Sequence, residues 1–440
     1  MIIELKLKNW MSFREETIFS LAATSEKRLK NRLPKIRKNP VLNVSPIAVL
    51  YGGNASGKTN FFKLIAFLKQ MVVNPVYDEN KNIALESFML SSNNDEQPSE
   101  ISLTMLTSDE KIYTLELCLT KKKILKENLF LIKRSGPVPI YMRTENKVDL
   151  YNDNLRKDKT ALAFAQVLNN NQLYLGISGG RVVSFHYLWK WFKYQLTLIS
   201  THSAFRGYMD MFATQPTDIK ILANLLKDLD TGICKLDVEE ATFAAMPEKL
   251  NEAEIREHLA DGEFAEFNFN GLRFIVTKIK GQLQVKKIIS FHKDCDGNLV
   301  KFDLQQESEG SLRLLDILPA FIDLEKKNSH AVYVIDELDC SWHYVLSRRL
   351  LGIYLSNCSE NSRAQLLFST HDLLLMDQDL FRRDEMWITE RKEDGSSTLL
   401  SLACCKIRYD KDIRKMYLQG ALGGVPQLVR FGSLLEEEEN

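Results

Sequence analysis

The chain has 440 residues, 45% hydrophobic and 26% charged, with 58 basic and 58 acidic side chains that cancel. This is an ordinary globular composition, and the zero net charge excludes a global field that would draw the chain to nucleic acid or to an anionic membrane surface. Seven scattered cysteines (Cys118, Cys234, Cys295, Cys340, Cys358, Cys404 and Cys405) show neither a Cys-x-x-Cys pair nor histidine at zinc spacing, which excludes a zinc module and points to reduced thiols.

The opening residues Met1 to Lys6 alternate like a strand and lack the apolar core of a secretion signal. No run approaches the roughly 20 apolar residues of a membrane span. A cytoplasmic protein without membrane contact is therefore expected. Residues 1–20 read as two short strands broken near Asn9-Trp10-Met11-Ser12-Phe13. Residues 27–38 then carry seven basic side chains and no acid. Such runs are usually solvated loops, and this one is the best local candidate for a DNA or RNA contact.

Next comes Gly52-Gly53-Asn54-Ala55-Ser56-Gly57-Lys58-Thr59, which fits the phosphate-loop pattern Gly-x4-Gly-Lys-Ser/Thr. The apolar run Ile47-Ala48-Val49-Leu50-Tyr51 precedes it as a buried strand, and Asn60 opens the helix that follows, read over 60–68. Glycines let the backbone wrap around phosphate oxygens, with successive N–H groups forming an anion nest at a helix N-terminus. Lys58 would reach the β- and γ-phosphates, and the Thr59 hydroxyl would hold Mg2+.

From Glu100 a β-meander is expected, with strands at 101–105, 112–117 and 125–132, closed by Ser135-Gly136-Pro137. Residues 140–260 read as helical, with segments at 160–168, 183–198 and 219–229. The aromatics Phe185, Tyr187, Trp189, Trp191 and Phe192 stand at helical spacing and read as core. Strands return after Gly262, with hairpin signals at Asn270-Gly271, Lys280-Gly281 and Asp296-Gly297. A helix is expected from 307 to 324, an apolar strand at 331–335, a helix at 344–355 and a third buried strand at 365–370. Glu436 to Glu439 read as a disordered acidic tail.

Apolar strands that each end in a polar residue suggest a parallel sheet with its ligand beyond the strand C-termini. Asp336-Glu337 ends one of them. Asp336 would accept from the Mg2+ water shell, and Glu337 would polarise an attacking water as general base. Lys58 and Asp336 are 336 − 58 = 278 positions apart, which suggests a sheet lobe split around an insertion.

Ser308-Glu309-Gly310-Ser311 offers a hydroxyl and bare N–H groups at a helix start, a second anion-binding element. ATPases of the ABC type dock such a signature helix on the γ-phosphate held by a second subunit. In that scheme His371 matches the switch histidine and Asp339 the acid that crosses the dimer interface. Alone, a Ser-x-Gly is often only an N-cap. His186, His202, His258, His292 and His330 read as incidental.

The chain resembles the ABC-type, AAA-annotated ATP-binding proteins of prokaryotic abortive-infection and antiphage defence systems, which are similar to RecF and SMC heads. The resemblance rests on 7–13, the phosphate loop with Tyr51 and Asn60, Ser308 to Leu314, Ile335 to His343, Ser369-Thr370-His371-Asp372, Arg382-Arg383-Asp384-Glu385-Met386-Trp387, and 417–426. It implies an α/β P-loop NTPase of ABC type, with a split sheet lobe, an antiparallel β-meander and a mostly helical insertion. Residues 1–139 would form the N-terminal half of the head, 140–262 the insertion and 263–440 the C-terminal half.

The implied ligands are ATP and Mg2+. Gly52, Asn54, Ala55, Ser56, Gly57, Lys58, Thr59, Asn60, Ser308, Gly310 and Ser311 would contact nucleotide; Thr59 and Asp336 would bind metal; Glu337, His371 and Asp339 would serve hydrolysis. The implied role is a sensor or regulatory subunit that pairs with a second copy and controls a separate effector, a nuclease or toxin. Glu309 and Ser311 replace the Gly and Gln of transporter-type signatures, which argues against transport. No glutamine stands where the Q-loop residue falls, a place taken by Glu86-Ser87-Phe88-Met89-Leu90. A RecF- or SMC-like repair ATPase that binds DNA directly is the second reading, although the broken, aromatic block at 140–260 is unlike a coiled-coil arm. A scaffold that binds ATP without hydrolysing it is a third, against which Glu337 speaks.

Overall fold

The structure is a computed structural model that describes all residues except 39, 92–96, 201–215, 248–249, 270, 406, 409–410 and 425–440. His202, Asn270, the last residues of the 417–426 segment and the acidic tail therefore lie outside the described residues. The chain divides into two compact units. The first comprises Met1–Leu198, Lys327–Leu338 and Leu351–Asn440, and the second Ile199–Lys326 and Asp339–Leu350.

The first unit opens with β1 (Ile2–Lys8) and β2 (Thr17–Ser20), then a small hairpin of β3 (Lys35–Lys38) and β4 (Val41–Asn43). The basic run is thus partly a strand rather than a plain loop. The phosphate-loop strand is β5 (Ile47–Tyr51), buried along its whole length, and α1 (Lys58–Val73) extends the expected helix at both ends. The meander carries two strands more than the sequence suggests: β6 (Ser99–Leu106), β7 (Ile112–Leu119), β8 (Ile124–Lys133), β9 (Gly136–Thr144) and β10 (Lys147–Leu150). Gly136-Pro137 begins β9 instead of ending the sheet, since a β8–β9 hairpin turns just before it. These strands form a seven-stranded antiparallel sheet in the order β10-β9-β8-β7-β6-β1-β2.

The block read as one long helical region is a series of short helices. Residues 183–198 hold a 3-10 turn, a five-residue α-helix, a π-turn (Trp191–Gln195) and then strand β11 (Leu196–Ile199). β-branched and aromatic residues here give up helix for strand once a sheet edge is available. Phe185, Trp191 and Phe192 are buried as expected, whereas Tyr187 is 47% exposed.

The second unit holds β12 (Lys235–Ala241), β13 (Phe264–Phe269), β14 (Leu272–Ile279), β15 (Gln282–Lys293) and β16 (Leu299–Asp303), all paired antiparallel. β12 falls inside the block read as helical. Lys280 and Gly281 both have positive φ, 50° and 77°, as a two-residue hairpin turn requires. Helix Glu309–Glu325 closes this part. The compact units divide after Leu198 and after Lys326, so the short-helix block groups with the meander, while the sequence reading draws its boundaries at 139/140 and 262/263.

Returning to the first unit, β17 (Val332–Ile335), β18 (Gln365–Ser369), β19 (Met386–Arg391) and β20 (Ser397–Ser401) complete a six-stranded sheet ordered β11-β17-β18-β5-β19-β20. β17, β18, β5 and β19 run parallel. Their C-terminal ends converge where β5 delivers the phosphate loop, β17 delivers Asp336-Glu337 and β18 delivers His371. One apolar core cluster joins this sheet, α1 and the antiparallel sheet. No helix among the described residues is long and apolar enough to cross a membrane.

Candidate functional site

The loop between β5 and α1 takes backbone shapes that demand glycine at both ends. Gly52 has φ +153° and Gly57 φ +113°. A Cβ on Gly52 would stand 2.3 Å from Thr389 Oγ1, and one on Gly57 would stand 2.6 Å from Ser397 Oγ. Both distances are below any real Cβ contact, so the loop is pressed against β19 and β20. Ser56 Oγ lies 2.6 Å from Thr389 Oγ1, and Thr389 Oγ1 also donates to Tyr51 O at 3.1 Å. Lys58 is buried, with Nζ donating to Gly52 O at 2.7 Å and Gly53 O at 3.1 Å. The curled loop therefore surrounds its own ammonium group, while Asn54 and Ala55 are exposed at its rim.

The acids sit opposite. Thr59 Oγ1 donates to Asp336 Oδ2 at 2.7 Å, and Ser369 Oγ donates to Asp336 Oδ1 at 2.5 Å. Both carboxylate oxygens of this buried aspartate are thus held. The same Ser369 hydroxyl accepts the Glu337 N–H at 2.8 Å. Glu337 has φ +52°, a left-handed conformation that a non-glycine residue adopts at a cost of order 1–3 kcal/mol. The twist leaves its carboxylate half-exposed and 3.7 Å from His371 Nε2. Asp336 and Glu337, adjacent in sequence, thereby face different tasks: one is buried and doubly bonded, the other open.

These groups line a cavity of about 610 Å³ that runs along the loop from Asn54 to Asn60 and includes Glu337 and His371. Met11 and Ser12 contribute one further wall, residues 86–90 another, and Arg391 and Gly395 a third. The stretch at the Q-loop position therefore does face the cavity, although it holds no glutamine. Asn60 Nδ2 donates to Ser12 Oγ at 3.0 Å, and Trp10 Nε1 donates to Asn60 O at 2.8 Å. These bonds explain why the opening Asn9-Trp10-Met11-Ser12-Phe13 belongs with the phosphate loop. Ser397 Oγ is buried with no hydrogen-bond partner among the described residues, an unsatisfied hydroxyl beside Gly57.

Ser308, Gly310 and Ser311 lie in the second unit. Ser308 caps helix Glu309–Glu325, its Oγ accepting from Ser311 N at 3.1 Å. A Cβ on Gly310 would meet Ser341 O at 2.5 Å, so this glycine lets the segment after Asp339 pack against the helix start. Asp339 falls in the same unit. His292 makes a local structural contact: its Nε2 lies 2.7 Å from Glu307 Oε1, and Ser290 Oγ donates to the same oxygen at 2.5 Å, directly before Ser308.

Two arginines of the basic run are committed elsewhere. Arg32 is buried against Glu385 and donates to Leu380 O at 2.7 Å, and Arg28 pairs with Asp379 at 2.7 Å. What remains for a nucleic-acid contact is a smaller set of lysines and Arg37.

The nested loop, the glycines a side chain would displace, the buried lysine and the threonine–aspartate pair fit a nucleoside triphosphate with Mg2+. A parallel sheet presenting this loop beside an Asp-Glu pair is the arrangement of a P-loop NTPase. The family described as "AAA domain, putative AbiEii toxin, Type IV TA system" matches residues 47–377, more than half of the chain, and the chain belongs to it. Among solved structures it is similar to the SMC head domain from Thermotoga maritima, at 14% identity and TM-score 0.38, covering 91% of this chain and 98% of that one. An SMC head bound to the C-terminal winged-helix domain of ScpA matches at 11% identity and TM-score 0.38, covering 91% and 97%. The recombination mediator RecF with ATP matches at 11% and 0.36, covering 91% and 99%. No curated protein matches.

Proposed function

We propose that the protein binds ATP with Mg2+ and hydrolyses it in a site completed by a second copy of itself. Lys58 and the loop N–H groups grip the triphosphate, and Thr59 and Asp336 hold the Mg2+ side. An ion held there would supply positive charge against the charge that builds on the transferring phosphate. Glu337 accepts a proton from the attacking water, and His371 orients that water and the γ-phosphate. The observation that carries this reading is the contrast at the end of β17. Asp336 is locked by Thr59 and Ser369, while Glu337 is turned by a strained backbone into the cavity beside His371.

Ser308, Gly310 and Ser311 supply the second wall, from the opposite subunit, onto the γ-phosphate. Asp339, two residues before the Ser341 that packs against Gly310, crosses that interface. The family supports placing this cycle in an abortive-infection system, where the ATPase restrains or triggers a separate nuclease or toxin. Direct DNA binding in the manner of a repair ATPase is the alternative. The test is ATP turnover and neighbour-gene co-purification for wild type, Lys58→Ala and Glu337→Gln. Turnover should disappear in both variants, with ATP binding kept only in Glu337→Gln. Wild-type turnover in Glu337→Gln contradicts the assignment of the base. Tight DNA binding with a steep salt dependence and no co-purifying partner favours the repair reading.

A further inference from the structure

We propose that residues 417–424 form a strap that positions the phosphate loop, with the Gly424 carbonyl as its contact point and the Tyr417 hydroxyl as its lock. The proposal deepens the ATP-binding reading and rests on it. The strap lies far from the loop in sequence, and no nucleotide-binding role follows from its composition.

The contact is a single backbone bond at a sensitive place. Gly53 N–H donates to Gly424 O at 3.0 Å. The other side of Gly53 is engaged as well, because Gly53 O accepts from Lys58 Nζ at 3.1 Å and from Ser56 N at 3.3 Å. The residue the strap holds is therefore the one on which the loop lysine leans and around which the loop turns. A shift of Gly53 moves both.

The strap is built to meet Gly53 in one geometry. Tyr417 Oη donates to the same Gly424 oxygen at 2.9 Å, in a buried setting. Burial, helped by Glu390, pushes the Tyr417 phenol up to about 12, so it stays a donor throughout the physiological range. Gly424 N–H donates to Glu390 Oε1 at 3.3 Å.

Gly423 and Gly424 have φ of +73° and +75°. A Cβ on Gly423 would stand 2.8 Å from Glu390 Oε2, and one on Gly424 would stand 2.5 Å from Ile388 Cγ2. Both the left-handed backbone and the missing side chains are needed for the chain to lie flat on β19. β19 is also the strand whose Thr389 bonds Ser56 and Tyr51, so strap and strand hold the loop from two directions. Helix Ile413–Leu418 anchors the strap, with Asp412 capping it through Arg414 N and Lys415 N.

A positioning role predicts an effect on nucleotide affinity that exceeds any effect on the chemical step. Tyr417→Phe removes only the hydroxyl. It should weaken ATP binding about threefold to tenfold, the range for one lost neutral hydrogen bond, raise KM in step, and leave kcat unchanged. Gly424→Ala should weaken ATP binding by at least ~10-fold through strain at the contact. Leu162→Ala, an exposed leucine of helix Lys159–Gln166 outside the strap and the cavity lining, should do neither.

Hydrogen exchange at the Gly53 amide gives a second readout. It should be faster in Tyr417→Phe than in wild type and, by reciprocity, slower when ATP is bound. Unchanged ATP affinity and unchanged Gly53 exchange in a folded Tyr417→Phe protein overturn the strap. If Gly424→Ala does not fold, the Tyr417→Phe comparison decides alone. If wild type binds no ATP, the function reading fails, and Gly53 exchange in Tyr417→Phe still decides the strap.

Discussion

Two charged clusters in the first unit contain similar residues and do opposite things. At the ends of β17 and β18, Asp336, Glu337 and His371 stand around an open cavity, and the last two are about two-fifths exposed. Around residues 382–385, Arg382, Asp384, Glu385 and Arg32 are buried and bonded to one another and to backbone. Arg382 grips Asp384 with both arms of its fork, Nε to Oδ1 at 2.9 Å and Nη2 to Oδ2 at 2.7 Å, while Nη1 reaches Glu26 O and Arg28 O. Asp384 also accepts from Thr24 N and Thr24 Oγ1, both at 2.8 Å. In this cluster the charges are turned inward on the fold, whereas Glu337 and His371 face a cavity.

Substitutions on the two sides should therefore separate activity from stability. The largest activity effect is expected for Glu337→Gln, with ATP turnover down by about 10²–10⁴-fold and an unchanged melting temperature. Turnover assays and calorimetry on one preparation check both. On the other side, Arg32→Met strands Glu385 in the interior and should cost about 3–5 kcal/mol in chemical denaturation at pH 8.

The pH dependence of that loss has a defined sign. Burial pushes the Glu385 carboxyl up to about 7, against an ordinary value of 4.5, and Arg32 partly offsets this. Between those two values the folded state holds more protons than the unfolded one, so this group's contribution to stability falls as pH rises through the window and is flat above it. Removing Arg32 raises the carboxyl further. The loss in Arg32→Met should therefore be clearly smaller at pH 5.5 than at pH 8, and equal losses at both would contradict the assignment.

Ser369→Ala should have a middling effect. It removes a bond to Asp336 and the acceptor for Glu337 N–H, so kcat should fall roughly 10- to 100-fold, as expected for losing a hydrogen bond to a charged group. Smallest of all, Arg28→Ala breaks an exposed pair with Asp379 and should change stability by about 0–1 kcal/mol.

The same contrast explains what could be read from sequence. The phosphate loop was legible because its pattern is local: glycines, lysine and threonine are fixed by the path of one turn. Asp336-Glu337 and His371 were legible because each follows a buried strand of the parallel sheet. Thr389, Ser397 and Arg391 were not, since they reach the loop only through sheet register and packing across more than three hundred positions. Within 183–198 the aromatic periodicity suggested one helix, and the chain instead breaks into short turns and a strand that adds to the β17 edge. The meander was undercounted because Gly136-Pro137 reads as a stop, although Pro at the first positions of a strand is tolerated. Arg382 to Glu385 were seen as a motif, but nothing in the sequence told that they tie the fold instead of binding a ligand.

The central claim is that each phosphate loop is half of a site whose other half comes from a second copy. It is tested most directly by mixing two inactive variants, Lys58→Ala and Ser308→Arg, and measuring ATP turnover. A mixed pair joins one intact loop to one intact signature. Random pairing of equal amounts should then restore about a quarter of wild-type turnover, because half of the pairs are mixed and each has one working site of two. Mixtures that stay as inactive as the separate variants, while Ser308→Arg still binds ATP, would contradict the shared site.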